Sequence, residues 1–377
     1  MQERVIIVGG GVSGLFIGSL VGDEVKILEE HRVIGFPEHC TGIISWNTLY
    51  RMNIPRRLVE ALYKQFVLYF PGGYRIVLKG SPLAVKVDRP GVEREFYYRA
   101  LDRGAKITLG AHVNFVSSDG RIVFNNRLNR SELVVLAEGY KQYLSRRLGL
   151  VKRSDRIPAL QARIKGRVYV DSVEVYFSAL TPRYFSWLVP IDDEEAVIGL
   201  AVGKNSLMDK LYLLLKVLER AGRISDYKVV RMYGGLILRG PIGELAKGRV
   251  IAVGDSIGMV KPLTGGGLYP ISIAGTALSK LINKYIDGSI GLDELKEKYI
   301  EEIKYLQREL KRTHRLLDIV NYRIEDFLEV IARGLNRLGL KTLTDEVEYD
   351  DHLRNVLFLL KPKNKVRFLG SIIAGLV

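Results

Sequence analysis

Three features of the sequence predict an α/β protein in which a Rossmann-like nucleotide-binding domain is interrupted by an antiparallel sheet and followed by a helical region. The first is Arg4 to Glu30, RVIIVGGGVSGLFIGSLVGDEVKILEE, which reads as strand, glycine turn, helix, strand and acidic residue. The second is a block of alternating residues from Gln161 to Lys204, with VYVDSVEVYF and EAVIGLAV as its clearest parts. Alternation puts every second side chain on one face, the pattern of an antiparallel sheet with unlike faces. The third is another wholly apolar strand, Arg249 to Val253, with Gly254-Asp255 directly behind it.

The first stretch carries its own chemistry. Val5 to Val8 is apolar throughout, as a strand covered on both faces must be. Gly9, Gly11 and Gly14 follow in G-x-G-x-x-G spacing. The first glycine allows the turn, the second lets backbone approach a pyrophosphate, and the third lets helix and strand pack closely. The helix opening at Val12-Ser13 then points N–H groups and its positive end at phosphates. Val25 to Leu28 is the second strand, and Glu29-Glu30 ends it about 20 residues after the first glycine, where a carboxylate accepts hydrogen bonds from a ribose diol.

Beyond it, HRVIGFPEHCTGIIS contains Gly35, Pro37 and Gly42 and reads as loop. Trp46 to Lys64 reads as helical, and Phe66 to Leu78 as a hairpin turning at Pro71-Gly72-Gly73. Val85 to Arg89 is a short strand ending at Asp88-Arg89, and Glu93 to Arg103 is a helix closed by Gly104. Short strands are expected at 106–109, 113–117 and 121–124, and a buried one at Leu133 to Leu136 running into Ala137-Glu138-Gly139. After the alternating block come a helix from Met208 to Arg220 and a strand from Lys228 to Leu238. Pro262-Leu263-Thr264-Gly265-Gly266-Gly267-Leu268 precedes a helix, and three glycines in a row let backbone N–H groups approach a flat or anionic ligand. From Leu292 to about Gly339 the period is helical, with leucine and isoleucine on one stripe. The expected organisation is a discontinuous nucleotide-binding domain (1–48, 84–158 and 240–290), a substrate sheet domain (49–83 and 159–239) and a C-terminal helical region (291–377).

At 377 residues and 47% hydrophobic, the chain has material for a large globular core. No run approaches the ~18 apolar residues of a spanning helix, and no charged-then-apolar leader precedes the first strand. Cys40 is the single cysteine, which excludes an internal disulfide and fits a reducing, cytoplasmic compartment. The net charge of +15 admits a solvated basic surface or attraction to anionic lipid or a phosphorylated substrate. Nucleic acid is disfavoured, because no basic stretch interleaves with aromatics to form a stacking platform. The basic-then-apolar end, KPKNKVRFLGSIIAGLV, fits a peripheral membrane anchor or a segment docked on the body. No metal-ligand spacing appears.

Together Gly9, Gly11 and Gly14 with Glu29, Asp88-Arg89, Ala137-Glu138-Gly139 and Gly254-Asp255 resemble the FAD proteins of the glutathione-reductase type, p-hydroxybenzoate hydroxylase class. Within that class PLTGGGL, YFSWLVP followed by Gly199, and PEHCTG resemble the geranylgeranyl reductase family, with Val189 and Leu268 standing where the family has phenylalanine and isoleucine. The resemblance covers residues 1 to about 290. It implies FAD with its pyrophosphate at Gly9, Gly11 and the helix from Val12, its adenosine ribose at Glu29 and its ribityl chain at Asp255. It places the isoalloxazine before the Pro262–Gly267 loop and Cys40-Thr41-Gly42, with Arg89 in contact with the cofactor region. The implied reaction is reduction of carbon–carbon double bonds in prenyl chains of lipid precursors, with Cys40, Tyr184 and Trp187 as the catalytic candidates. Alternation puts Tyr184, Ser186 and Leu188 on one face and Trp187 on the other. The electron donor stays open between NAD(P)H and a ferredoxin, since no second G-x-G-x-x-G is present. The competing readings are a flavin monooxygenase or halogenase of the same fold, and a flavin electron-transfer protein.

Overall fold

The computed structural model describes residues 3–152, 154–203, 206–319, 324–337, 342–343 and 349–350. Val5–Val8 lies near the middle of a six-stranded sheet ordered Ala246–Lys247, Val250–Ala252, Leu133–Leu136, Val5–Val8, Val25–Glu29, Lys106–Leu109. Every pairing is parallel except that of the short Ala246–Lys247 edge strand. Val5–Val8 and Leu133–Leu136 are buried at every position, which is why both read as unbroken apolar runs. The Val12–Val21 and Leu268–Ile286 helices cover the sheet, joined by the core formed by Phe16, Ile17, Ile271 and Leu278.

The second sheet has nine strands. Its main path runs Ile224–Leu238, Arg156–Val168, Glu195–Ala201, Ser186–Pro190, Val173–Tyr176, Val59–Tyr69, Arg75–Val87, Thr342–Leu343. Ile43–Ile44 pairs with Arg75–Val87 off that path. One face packs on the Leu207–Arg220 helix through Leu188, Ile198, Leu200, Leu211 and Leu215. The other holds an aromatic cluster of Tyr63, Phe66, Tyr184, Trp187 and Tyr233. A third, three-stranded meander comprises Val113–Val116, Arg121–Phe124 and Arg127–Arg130.

Several expectations are corrected. Only Trp46–Arg51 of the expected 46–64 helix forms. Asn53 takes a left-handed φ of 49°, Pro55 follows, and Val59–Tyr69 is a strand. Its helix-favouring residues are overruled by pairing with Arg75–Val87, which buries Tyr63 and Phe66 and pairs Glu60 with the buried Lys86. Val85–Arg89 is not a separate strand: Arg75–Val87 is continuous, and Asp88 caps a helix running Arg89–Asp102, four residues longer at its start than expected. Asp88 accepts the Gly91 N–H at 3.1 Å, so the residue pair that looked like a strand end is a helix start.

The Leu292–Glu302, Lys304–Ile319 and Ile324–Arg337 helices form the C-terminal layer. Beyond them Tyr349-Asp350 returns to the core. Asp350 meets Lys261 Nζ at 3.0 Å, both side chains being 7% exposed, and accepts from Thr48 Oγ1 at 3.2 Å. The Tyr349 ring lies 4.8 Å under that ammonium and 5.5 Å from Phe66. The basic-then-apolar end of the chain lies outside the described residues.

A buried pair of this kind is costly to halve. Asp350→Ala, which strands the Lys261 ammonium, lowers the free energy of denaturant unfolding by roughly 3 kcal/mol, and adding Lys261→Met recovers most of the loss. Equal stability of wild type and D350A would show that the pair does not form.

Candidate active site

The C-terminal ends of the parallel strands open into a cavity of about 550 Å³, lined by the first glycine turn, Glu29 to His31, the Ile34–Pro37 loop and Ala137 to Lys141. The glycines divide the labour there. A Cβ on Gly9, whose φ is +107°, would lie 2.2 Å from the Ala137 carbonyl oxygen. One on Gly14 would lie 2.0 Å from the Gly9 oxygen. Both are demanded by the protein's own packing. Gly11 is different: a Cβ there would meet nothing within 4 Å. It is bare toward open space, as a ligand cradle requires and packing does not. No side chain caps the Val12–Val21 helix, so its first N–H groups are left for an anion.

Glu29 is 7% exposed, with Oε2 accepting the Gly10 N–H at 2.6 Å and Oε1 the His31 N–H at 2.8 Å. The strand end thus holds the carboxylate rigid at the cavity wall. Glu30 points outward to Lys141 at 2.5 Å and His112 at 3.2 Å. Burial works against its charge, but Lys141, His112 and His31 outweigh that and hold its carboxyl below the ordinary range. Glu138 caps the Tyr143–Arg147 helix through the N–H groups of Leu144 and Ser145, at 2.9 and 2.6 Å, while a Cβ on Gly139 would meet open space.

The second end of the site is built where the two sheets meet. Arg89 is 8% exposed. Its Nη2 donates to Glu93 at 2.9 Å, whereas Nε and Nη1 have no hydrogen-bond partner among the described residues. Burial opposes its charge, and Glu93 and the nearby Cys40 side chain restore it. The 39–42 loop carrying Cys40 is tied to the inserted sheet: Thr41 Oγ1 donates to Gln161 Oε1 at 2.7 Å and Gln161 Nε2 to the His39 carbonyl at 3.3 Å. Gly42 sits 2.4 Å, by its missing Cβ, from the Val87 oxygen. Cys40 is also close enough to Tyr233 and Tyr349 to perturb both phenols.

Gly254 opens a turn at φ +71° packed on Ser13, and Asp255 follows it. Burial pushes the Asp255 carboxyl up to about 6, with Arg89 pulling the other way. In the glycine loop after Pro262, Gly265 has φ +71° and no room for a Cβ, which would lie 2.1 Å from Ile237 Cγ2 and 3.4 Å from the Tyr184 hydroxyl. A Cβ on Gly266 would strike Lys261, and one on Gly267 would lie 3.1 Å from Asp255 Oδ1. Tight packing therefore explains the triplet's residue type. It also brings the uncapped start of the Leu268–Ile286 helix against Asp255.

The expected facing of the aromatics is corrected. Trp187 and Val189 belong to the aromatic cluster, and Leu188 points to the opposite, helix-covered face. Tyr184 joins Trp187's side because it precedes the Ser186–Pro190 strand, after a left-handed Arg183 at φ 69°, and so lies outside the alternation. Tyr184 is 1% exposed and its hydroxyl has no partner among the described residues, as is true of Trp187 Nε1 and the Tyr233 hydroxyl. The Arg239 guanidinium lies 4.8 Å over the Tyr184 ring. Burial holds the Tyr184 phenol above its ordinary range, and Arg239 opposes it. Trp187 rests on Gly199, where a Cβ would lie 2.5 Å from the indole and 2.7 Å from Gln161. Tyr233, Gln161, Lys261 and Tyr349 were not among the sequence candidates. Only Lys261, inside the segment leading to the glycine loop, had a local signal. Among the described residues no three His, Cys, Asp or Glu side chains are grouped to hold a metal.

No family model matches the chain. It is 27% identical over 372 residues to a digeranylgeranylglycerophospholipid reductase of Methanococcus vannielii, covering 91% of this chain and 94% of that protein. It is 24% identical over 350 residues to an uncharacterized protein of Methanocaldococcus jannaschii, covering 88% of each. Among solved structures it is similar to a geranylgeranyl bacteriochlorophyll reductase-like protein of Thermoplasma acidophilum, with a TM-score of 0.80 at 19% identity over 98% of this chain and 99% of that one. A flavin-dependent brominase shares the fold at a TM-score of 0.69, 14% identity and coverage of 96% and 100%. The structural likenesses establish the fold. The sequence relatives bear out the resemblance to the geranylgeranyl reductase family carried by the motifs.

Asp255 supplies a pH-dependent test. Its folded form binds a proton more tightly than the unfolded chain, so its ionisation destabilises the cofactor-free protein above pH 6, less as pH falls, and not at all below the ordinary value of 3.8. Asp255→Asn should stabilise the cofactor-free protein by about 2–3 kcal/mol at neutral pH, with the gain vanishing near pH 4. Denaturant titration at the two pH values checks it, and a gain that grows toward acid would contradict it.

Proposed function

We propose that this chain is an FAD-dependent geranylgeranyl reductase that saturates carbon–carbon double bonds in the prenyl chains of archaeal-type membrane lipid precursors. The relatives named as digeranylgeranylglycerophospholipid reductases span nine-tenths of the chain and support the reaction class. The observation that carries the reading at the level of residues is the junction of the two sheets. There an aromatic cluster meets the glycine loop, with the partnerless Tyr184 hydroxyl directed at Gly265.

The residues present fit the cofactor. Gly11, the uncapped start of the Val12–Val21 helix, Ser13 and Gly139 would cradle the pyrophosphate, and Glu29 would take the adenosine ribose. Asp255 and Gly254 would meet the ribityl chain, and the loop from Pro262 to Leu268, with Thr41, Gly42 and the two idle donors of Arg89, would surround the ring. Bound and reduced by two electrons from an external donor, FAD would supply the hydride equivalent. We keep the discontinuous division of the chain into cofactor, sheet and helical parts as the domain assignment.

Everything else falls to the protein. An isolated alkene has no carbonyl to polarise it, so rate comes from holding it in place and keeping water away. Trp187, Tyr184, Val189 and Tyr233 form a buried apolar cluster beside the glycine loop, which would receive a prenyl chain. The second carbon of the alkene needs a proton, and the Tyr184 hydroxyl and Cys40 thiol are the acids assigned to this face. Neutral Tyr184 keeps its proton at physiological pH, as a donor must. Thr41–Gln161–His39 positions the Cys40 loop against the sheet.

Reduced without oxygen, the flavin-loaded enzyme should add two hydrogens per double bond to a digeranylgeranyl glycerophospholipid, read by mass spectrometry. Tyr184→Phe should lower kcat by about 100-fold if its hydroxyl is the proton source, with binding little changed. Gly11→Val should fold normally yet lose bound flavin. An unchanged substrate mass, or oxygen uptake that depends on substrate, would move the assignment to the monooxygenase and halogenase relatives of the fold.

A further inference from the structure

The Lys304–Ile319 helix buries Leu306, Leu310, Thr313, His314 and Leu317 against the body of the protein. Its opposite face is exposed and carries Arg308, Lys311, Arg312 and Arg315. Those positions follow i, i+3, i+4, i+7, one stripe of a helix. Neighbouring charges are already matched: Lys304 pairs with Glu301 at 2.7 Å and His314 with Asp318 at 3.2 Å. None of the four cations of the stripe has a carboxylate within ion-pair distance among the described residues. The same face ends in two exposed apolar residues, Tyr305 at 71% and Ile319 at 81% exposure, about one turn beyond the cations on either side.

We propose that this face docks the protein on an anionic lipid bilayer, with the four cations over the headgroups and Tyr305 and Ile319 entering the interface at the two ends. Basic residues near an anionic leaflet each gain about 1 kcal/mol, and exposed aromatic and aliphatic residues bracketing them are what an interfacial helix inserts. Nucleic acid would be met by cations interleaved with stacking aromatics, and this stripe has none between its cations. An acidic protein would be met by the cations alone, leaving Ile319 unexplained. The Leu207–Arg220 helix shows the contrast. It also exposes Met208, Tyr212, Leu213 and Val217, but its exposed charges alternate as Asp209, Lys216, Glu219 and Arg220 and attract no anionic surface. The choice of a lipid surface rests on the prenyl-lipid reading, whereas the anion-seeking face does not.

Full-length protein is sedimented with vesicles of phosphatidylcholine alone or mixed with phosphatidylglycerol, at low and high salt. Wild type should bind the mixed vesicles at low salt and release at high salt. The variant R308Q/K311Q/R312Q/R315Q should bind on the order of 1,000-fold more weakly, and R308K/R312K/R315K should bind like wild type. Y305A/I319A should lose on the order of 10-fold. Equal binding of the glutamine variant and wild type, equal binding to neutral vesicles, or no binding at all would overturn the proposal. So would preference for a soluble acidic protein that displaces wild type from the mixed vesicles. Reduction of a detergent-dispersed digeranylgeranyl glycerophospholipid should be the same in wild type and variants. If neither reduces it while vesicle binding holds, the catalytic reading falls and the docking face stands.

Discussion

Backbone crowding at the mouths of the parallel strands is the constraint from which the rest of the molecule follows. Gly9 turns where the Ala137 carbonyl oxygen leaves no space for a side chain, and Gly14 closes on Gly9 in the same way. Strand, turn, helix and the next-door Leu133–Leu136 strand are thereby held at backbone contact distance. Gly254 then brings the end of Val250–Ala252 against Ser13. Each of these approaches fails with one added methyl group. Only after they are met is Gly11 left facing emptiness, and only then do the helix N–H groups point into a cavity rather than into protein.

The second organising feature is polar. The inserted sheet joins the nucleotide domain through Thr41, Gln161 and the His39 carbonyl. Gln161 also abuts the Trp187–Gly199 contact. One glutamine therefore ties the loop bearing Cys40 to the strand bearing the aromatic wall. Below it, Glu60, Lys86, Arg163 and Glu195 share their charges in a paired network, so the sheet carries ions beside the cluster without leaving them uncompensated.

What was legible in the sequence was what is local. Gly9-x-Gly11-x-x-Gly14, the apolar runs and the carboxylate at Glu29 act over a turn or one βαβ unit, so composition and spacing carry them. The misread parts are those decided at long range. Val59–Tyr69 holds helix-favouring residues, and its partner strand overrules them. Tyr184 was assigned a face by alternation, yet it stands before the strand begins, and a left-handed Arg183 reorients it. Gln161 looked like one polar position in an alternating strand, and its meaning comes from Thr41, distant in sequence. Tyr349 and Asp350 carried no motif at all, because their role is to fill a space and neutralise Lys261.

The walls of the cavity come from the first glycine turn, from Glu29 to Pro37 and from Ala137 to Lys141, and the turn at Gly254-Asp255 packs behind the first of them on Ser13. A ribosome delivers them in that order, with most strands of the second sheet in between. A nascent chain that has emerged only through the first βαβ unit has the Gly9–Gly14 turn but neither the Ala137–Lys141 wall nor the Gly254 turn that packs on Ser13. A chain that stops before Ala137 leaves the Gly9 turn without the carbonyl it packs against and the cavity without one of its walls.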